Sequence, residues 1–72
     1  MVIIERAIRV IEFLGYSSSL LHKAIKDGEL VTVPYDKAFS DYSYSITRES
    51  FHDFLYKLKI SERQINDIMD NI

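Results

Sequence analysis

From Gly15 to Leu30 the chain reads GYSSSLLHKAIKDGEL, and residues 31–46 continue VTVPYDKAFSDYSYSI. The first run carries the punctuation of a helix. Ser17 and Ser18 carry hydroxyls able to accept hydrogen bonds from the orphan amides that open a helix, and Leu21, Ala24 and Ile25 follow at the spacing of one helical face. Lys26 falls in the last turn, where a cation suits the helix dipole, and Gly28 supplies the left-handed residue on which a helix stops. A helix over about residues 18–27 is the expectation. In the second run the period changes from 3.6 to 2. Val31, Val33 and Tyr35 alternate with Thr32 and Pro34, and Tyr42, Tyr44 and Ile46 alternate with Ser43 and Ser45. That pattern predicts two strands joined by the short loop Asp36 to Asp41, a hairpin over about residues 30–46. Pro34 cannot donate to a ladder, so the first of these strands belongs at a sheet edge.

Working outward, Ile4, Ala7, Ile8, Ile11 and Leu14 keep the i, i+3, i+4, i+7 spacing of an amphipathic helix. Gly15 caps that helix, and Tyr16 and Ser17 turn the chain into the next one. Beyond the hairpin, Thr47 caps a third helix, over about residues 48–59, with Phe51, Phe54, Leu55 and Leu58 on its apolar face. Ser61 and Gln64 form a capping-box pattern for a fourth, over about residues 62–71, with Ile65, Ile68, Met69 and Ile72 on one stripe. The expected fold is therefore α+β and mostly helical: helix, turn, helix, hairpin, then two C-terminal helices in a single domain spanning residues 1–72.

Composition narrows the function classes. A chain of 72 residues buries only about 60% of its unfolded surface, so stability is marginal, yet 47% hydrophobic content with two Gly and one Pro is far from a disordered composition. Cysteine is absent, which removes disulfides and thiolate metal sites and fits a reducing cytoplasm. Charges interrupt the Met1 to Ile4 run at Glu5, Arg6 and Arg9, so neither a signal peptide nor a membrane span is expected. Nine basic and eleven acidic residues give a net charge of −2, so a basic footprint for nucleic acid has to be local.

The order of elements is that of a winged helix-turn-helix, and GYSSSLLHKAIKDGEL resembles the MerR and phage-excisionase type. Leu14-Gly15-Tyr16 stands for that family's apolar opening, Ser17 to Ser19 for its hydroxyl-rich turn, and Asp27-Gly28-Glu29-Leu30 for its acidic-Gly-Glu-Leu close. ITRESFHDFL, Ile46 to Leu55, is similar to the segment that follows the family's wing. The resemblance covers roughly residues 7 to 58. It implies a recognition helix at about 18–27, a wing at about 30–46, duplex DNA as partner, and a role as transcriptional regulator or excisionase-like recombination directionality factor of phage or mobile-element type. Cooperative arrays on DNA are part of what it implies.

Ser17, Ser19, His22, Lys23, Lys26 and, in the wing, Lys37 are the candidate DNA-binding residues. The lysines suit phosphates or guanine edges, the serines suit phosphate oxygens, and a helix N-terminus itself favours an anion. Arg9 and Arg48 are further candidate phosphate partners. A plainer reading makes Lys23 and Lys26 a solvated face. An alternative of a different class is a phage antirepressor or modulator that captures a repressor's DNA-binding domain through the same helix, using Leu20, Leu21 or Phe39. The Ile65, Ile68, Met69 and Ile72 stripe packs either on the domain's own core or on a partner, which makes a homo-oligomer or a recombinase contact conceivable. Tyr35, Tyr42 and Tyr44 suit cross-strand packing better than base stacking. His22 and His52 stand too far apart for ligand spacing, and Glu49, Asp53 and Lys57 read as a surface charge ladder. With no phosphate-cradling Gly loop and no nucleophile beside a base, neither catalysis nor a cofactor is expected.

Overall fold

A computed structural model describes residues 1–34 and 44–72 of the chain. In order, the elements are β1 (Val2–Ile3), α1 (Ile4–Phe13), α2 (Ser18–Lys26), β2 (Thr32–Pro34), β3 (Tyr44–Ile46), α3 (Arg48–Lys57) and α4 (Glu62–Asp70). They make an α+β fold of four helices and a three-stranded antiparallel sheet in the order β1-β3-β2.

Three of the helix ends are the same device. At the end of α1, Gly15 takes a φ of 91°, its N–H donates to the Glu12 carbonyl at 3.0 Å, and the Tyr16 N–H donates to the Ile11 carbonyl at 3.0 Å. This paired closure satisfies carbonyls that the helix leaves open and reverses the chain. Gly28 repeats it after α2 with a φ of 81°, the Glu29 N–H reaching the Ala24 carbonyl at 2.9 Å. After α3 the left-handed residue is Lys59, with a φ of 64°, and the Ile60 N–H meets the Leu55 carbonyl at 3.3 Å. The expected span of 48–59 overran this end because no glycine marks it.

The first strand is a feature the sequence reading lacked. Val2 pairs with Ile46 and Ile3 with Ser45, so β3 becomes the central strand, with Thr32, Val33 and Pro34 of β2 on its other side. β2, with Pro34, lies at an edge of this sheet, as expected. A two-residue strand has no period to read, and Val2 and Ile3 look only like the start of an apolar run. Pairing also explains how α1 begins: Ile3 stands at the cap position and makes no side-chain cap bond, so strand pairing, not a capping side chain, fixes that end.

Core residues come from both helix pairs and the sheet. Ala7 and Ile11 of α1, Leu21 and Ala24 of α2, Val2 and Ile46 of the sheet, Phe51 and Leu55 of α3 and Ile65 of α4 are all buried in one cluster. Each large apolar side chain so buried contributes roughly 1.5–3 kcal/mol. One polar group sits among them: the Ser45 hydroxyl is buried without a hydrogen-bond partner among the described residues.

Two arginines hold α4. No basic residue lies in the last turn of α4, so its exposed carbonyls lack a local cation. Arg48, at the start of α3, supplies one, donating to the Met69 carbonyl at 2.7 Å and the Ile72 carbonyl at 3.3 Å, and Arg6 of α1 approaches the Asn71 carbonyl at 3.4 Å.

A Cβ built on Gly15 meets nothing within 4 Å, so Gly15→Ala exacts only the cost of the left-handed backbone. Urea unfolding should show Gly15→Ala destabilised by about 1–2 kcal/mol and Lys59→Gly stabilised by about 1 kcal/mol. In the same assay Ser45→Ala should raise stability by about 1 kcal/mol, because it removes a buried hydroxyl that has no partner among the described residues.

Candidate nucleic-acid interface

The geometry of α2 follows from its two sides. Leu21 and Ala24 are buried, and Leu20 and Ile25 are half-buried against the core. On the opposite side Ser19, His22, Lys23 and Lys26 are all exposed at i, i+3, i+4 and i+7, so they form one continuous ridge, with exposed Ser17 at its head. Packing against α1 through the Gly15 turn holds this ridge outward.

The N-terminus of α2 differs from the expectation. Ser17 occupies the cap position, but neither its hydroxyl nor that of Ser18 accepts from a helix amide, and Ser17 Oγ lies 2.6 Å from Ser19 Oγ instead. The two hydroxyls bond to each other, which leaves one O–H free and the first-turn amides without a side-chain acceptor, although the Leu20 N–H donates to the Ser17 carbonyl at 3.1 Å. The other two predicted caps form: Thr47 Oγ1 accepts from the Ser50 N–H at 3.3 Å, and Ser61 Oγ accepts from the Gln64 N–H at 3.2 Å. Ser50 also ties the start of the β2 segment to α3, since its hydroxyl accepts from the Val31 N–H at 3.1 Å while the Thr47 N–H donates to the Val31 carbonyl at 3.0 Å.

Other sequence-predicted residues fall elsewhere. Lys37 and Phe39 lie outside the described residues, as do Tyr35 and Tyr42. Arg48 is committed to the end of α4 and Arg9 stands on α1 beside α4, so neither joins the α2 ridge. Lys57 does not complete a ladder with Asp53; it pairs with Glu29, just past the end of α2, while Asp53 lies beside His52 at 3.4 Å. Ile65 is fully buried and belongs to the core, not to a surface, whereas Ile68, Met69 and Ile72 are half-buried against that core. Among the described residues no cluster of three His, Asp or Glu is arranged to hold a metal, and no helix is long and apolar enough to cross a membrane.

Sequence reasoning named Ile68 and Ile72 as a possible interface but missed the α1 half of the surface they belong to. Between α1 and α4 runs a groove of about 680 Å³, with Val10, Phe13, Ile68 and Ile72 as its apolar lining. Phe13 is 83% exposed, the most exposed large apolar side chain described. A signal was there to read: Arg6, Arg9, Val10 and Phe13 make a second face of α1 at i, i+3, i+4 and i+7, off the Ile4, Ala7, Ile11 stripe.

Comparison of the chain with protein-family models, with curated proteins and with solved structures finds no significant match to any of the three.

The cap geometry gives an ordered expectation. Thermal or urea unfolding should place Thr47→Ala about 1 kcal/mol below wild type, whereas Ser17→Ala, removing a hydroxyl that caps nothing, should stay within about 0.5 kcal/mol.

Proposed function

We propose that this chain is a small winged helix-turn-helix protein of the MerR and excisionase kind that binds duplex DNA through α2, acting in transcription regulation or site-specific recombination of a mobile element. The observation that carries the reading is the exposed Ser19, His22, Lys23 and Lys26 ridge standing opposite the buried Leu21 and Ala24. A helix presented this way offers a whole face to a major groove. Lys23 and Lys26 then meet phosphates or guanine edges, and Ser17, Ser19 and the backbone amides of Ser18 and Ser19 meet phosphate oxygens. Lys37, in the segment that joins β2 to β3, is the wing cation that reaches the neighbouring backbone. The mechanism is occupancy and bending or assembly, without covalent chemistry.

The alternative partner, a repressor's DNA-binding domain, needs an apolar handle on the same helix. Leu20 is the candidate for it, and its packing against the core leaves less of it for capture.

With Lys23, Lys26 and Lys37 each neutralising one phosphate, log affinity against log salt has a slope of about −3. That is modest for a single copy. A salt titration by fluorescence anisotropy, on duplex from the region upstream of the chain's own reading frame, tests the reading. Replacing Lys23 and Lys26 together by Ala should flatten the slope by about two units. An unchanged slope removes both lysines from the interface, and no binding at low salt removes DNA as the partner.

A further inference from the structure

We propose that the groove between α1 and α4 is a self-association surface, filled by the same face of a second copy of this chain. This goes beyond the DNA reading and does not depend on it.

The lining decides what kind of occupant fits. Every polar residue that borders the groove is exposed, so no buried donor or acceptor is aimed inward to orient a small molecule. Small-molecule sites fix their ligands with such groups. What the groove does hold is apolar area, headed by Phe13, a side chain that stands almost free in solvent at its border. An exposed aromatic beside an apolar groove on one surface supplies both a knob and a hole. A two-fold arrangement uses each twice, because the patch that one copy presents is the patch the other presents.

Charge favours the same occupant. Arg9 stands on the α1 wall and Asp67 on the α4 wall; both are exposed, and neither makes an ion pair within 4 Å among the described residues. Laying α1 of one copy along α4 of the other brings Arg9 of each copy to Asp67 of the other, twice over. The two Phe13 rings enter the opposite grooves, against Val10, Ile68 and Ile72. One positive and one negative wall on the same surface is the pattern a self-complementary partner matches, whereas a uniformly acidic or basic partner would meet repulsion from one wall.

The experiment uses the full chain, with oligomeric state measured by sedimentation equilibrium and folding checked by circular dichroism. Wild type should self-associate reversibly to a dimer, and Phe13→Asp should raise the dissociation constant at least about 30-fold with the helical signal unchanged. Arg9→Glu and Asp67→Lys supply the decisive pair. Each alone sets like charges against each other across the two-fold and should remain monomeric. Mixed together they should form a heterodimer, in which residue 9 of each copy faces an opposite charge at residue 67 of the other. A wild type that stays monomeric at the highest soluble concentration overturns the proposal. So does a dimer indifferent to Phe13→Asp, or a mixture of the two charge variants that does not associate.

Discussion

The left-handed turn at Gly15 is the constraint from which the rest of the structure follows. It closes α1 with two backbone hydrogen bonds and sends the chain back at once into α2, so that Ala7 and Ile11 can be buried in the same cluster as Leu21 and Ala24. Two small residues, one on each helix, fit a close approach of the pair. In so small a chain no single helix has enough apolar face to stand alone, so the angle at which this turn delivers α2 decides what can be buried. Its consequence for the surface is equally direct. Once Leu21 and Ala24 turn inward, Ser19, His22, Lys23 and Lys26 are left on the exposed side.

The second half of the chain is locked to the first by a few contacts of high sequence separation. Val2 and Ile46 pair across the sheet, Ser50 accepts from Val31, Lys57 meets Glu29, and Arg6 reaches the carbonyl end of α4, where Arg48, from the second half itself, also donates. The arginine contacts matter beyond their own energy. They supply cations that α4 does not carry in its last turn, and they fix the helix whose outer face forms one wall of the groove. Interactions of this kind between exposed groups are individually small, so their value lies in fixing position, while Ile65 provides the burial.

Two surfaces result, and they differ in chemistry. The α2 ridge is polar and cationic and begins at amides that no side chain caps. The groove between α1 and α4 is apolar, with Arg9 on one wall and Asp67 on the other. They are built on different helix faces: the ridge belongs to α2, the groove to α1 and α4.

Most of the helices were legible in the sequence, because their signals are local. The apolar spacings around Ile11, Leu21, Phe51 and Ile65, the glycines at 15 and 28, and the caps at Thr47 and Ser61 act within a few residues of themselves. Features set by partners distant in sequence were not. β1 exists only because β3 comes to meet it. Two local features escaped as well: α3 stops at Lys57 just before the left-handed Lys59, where no glycine marks the end, and Ser17 bonds to Ser19 although its residue type suits a cap. The candidate ridge could be listed from helical spacing once the inward side of α2 was known. The Arg48 contact with α4 and the groove at Phe13 needed the tertiary structure, since the first joins the start of α3 to the far end of α4 and the second arises between α1 and α4, far apart in the sequence. Hydrophobic period and capping chemistry decide what each segment becomes; which faces are left uncovered is decided only when the segments compete for one small core.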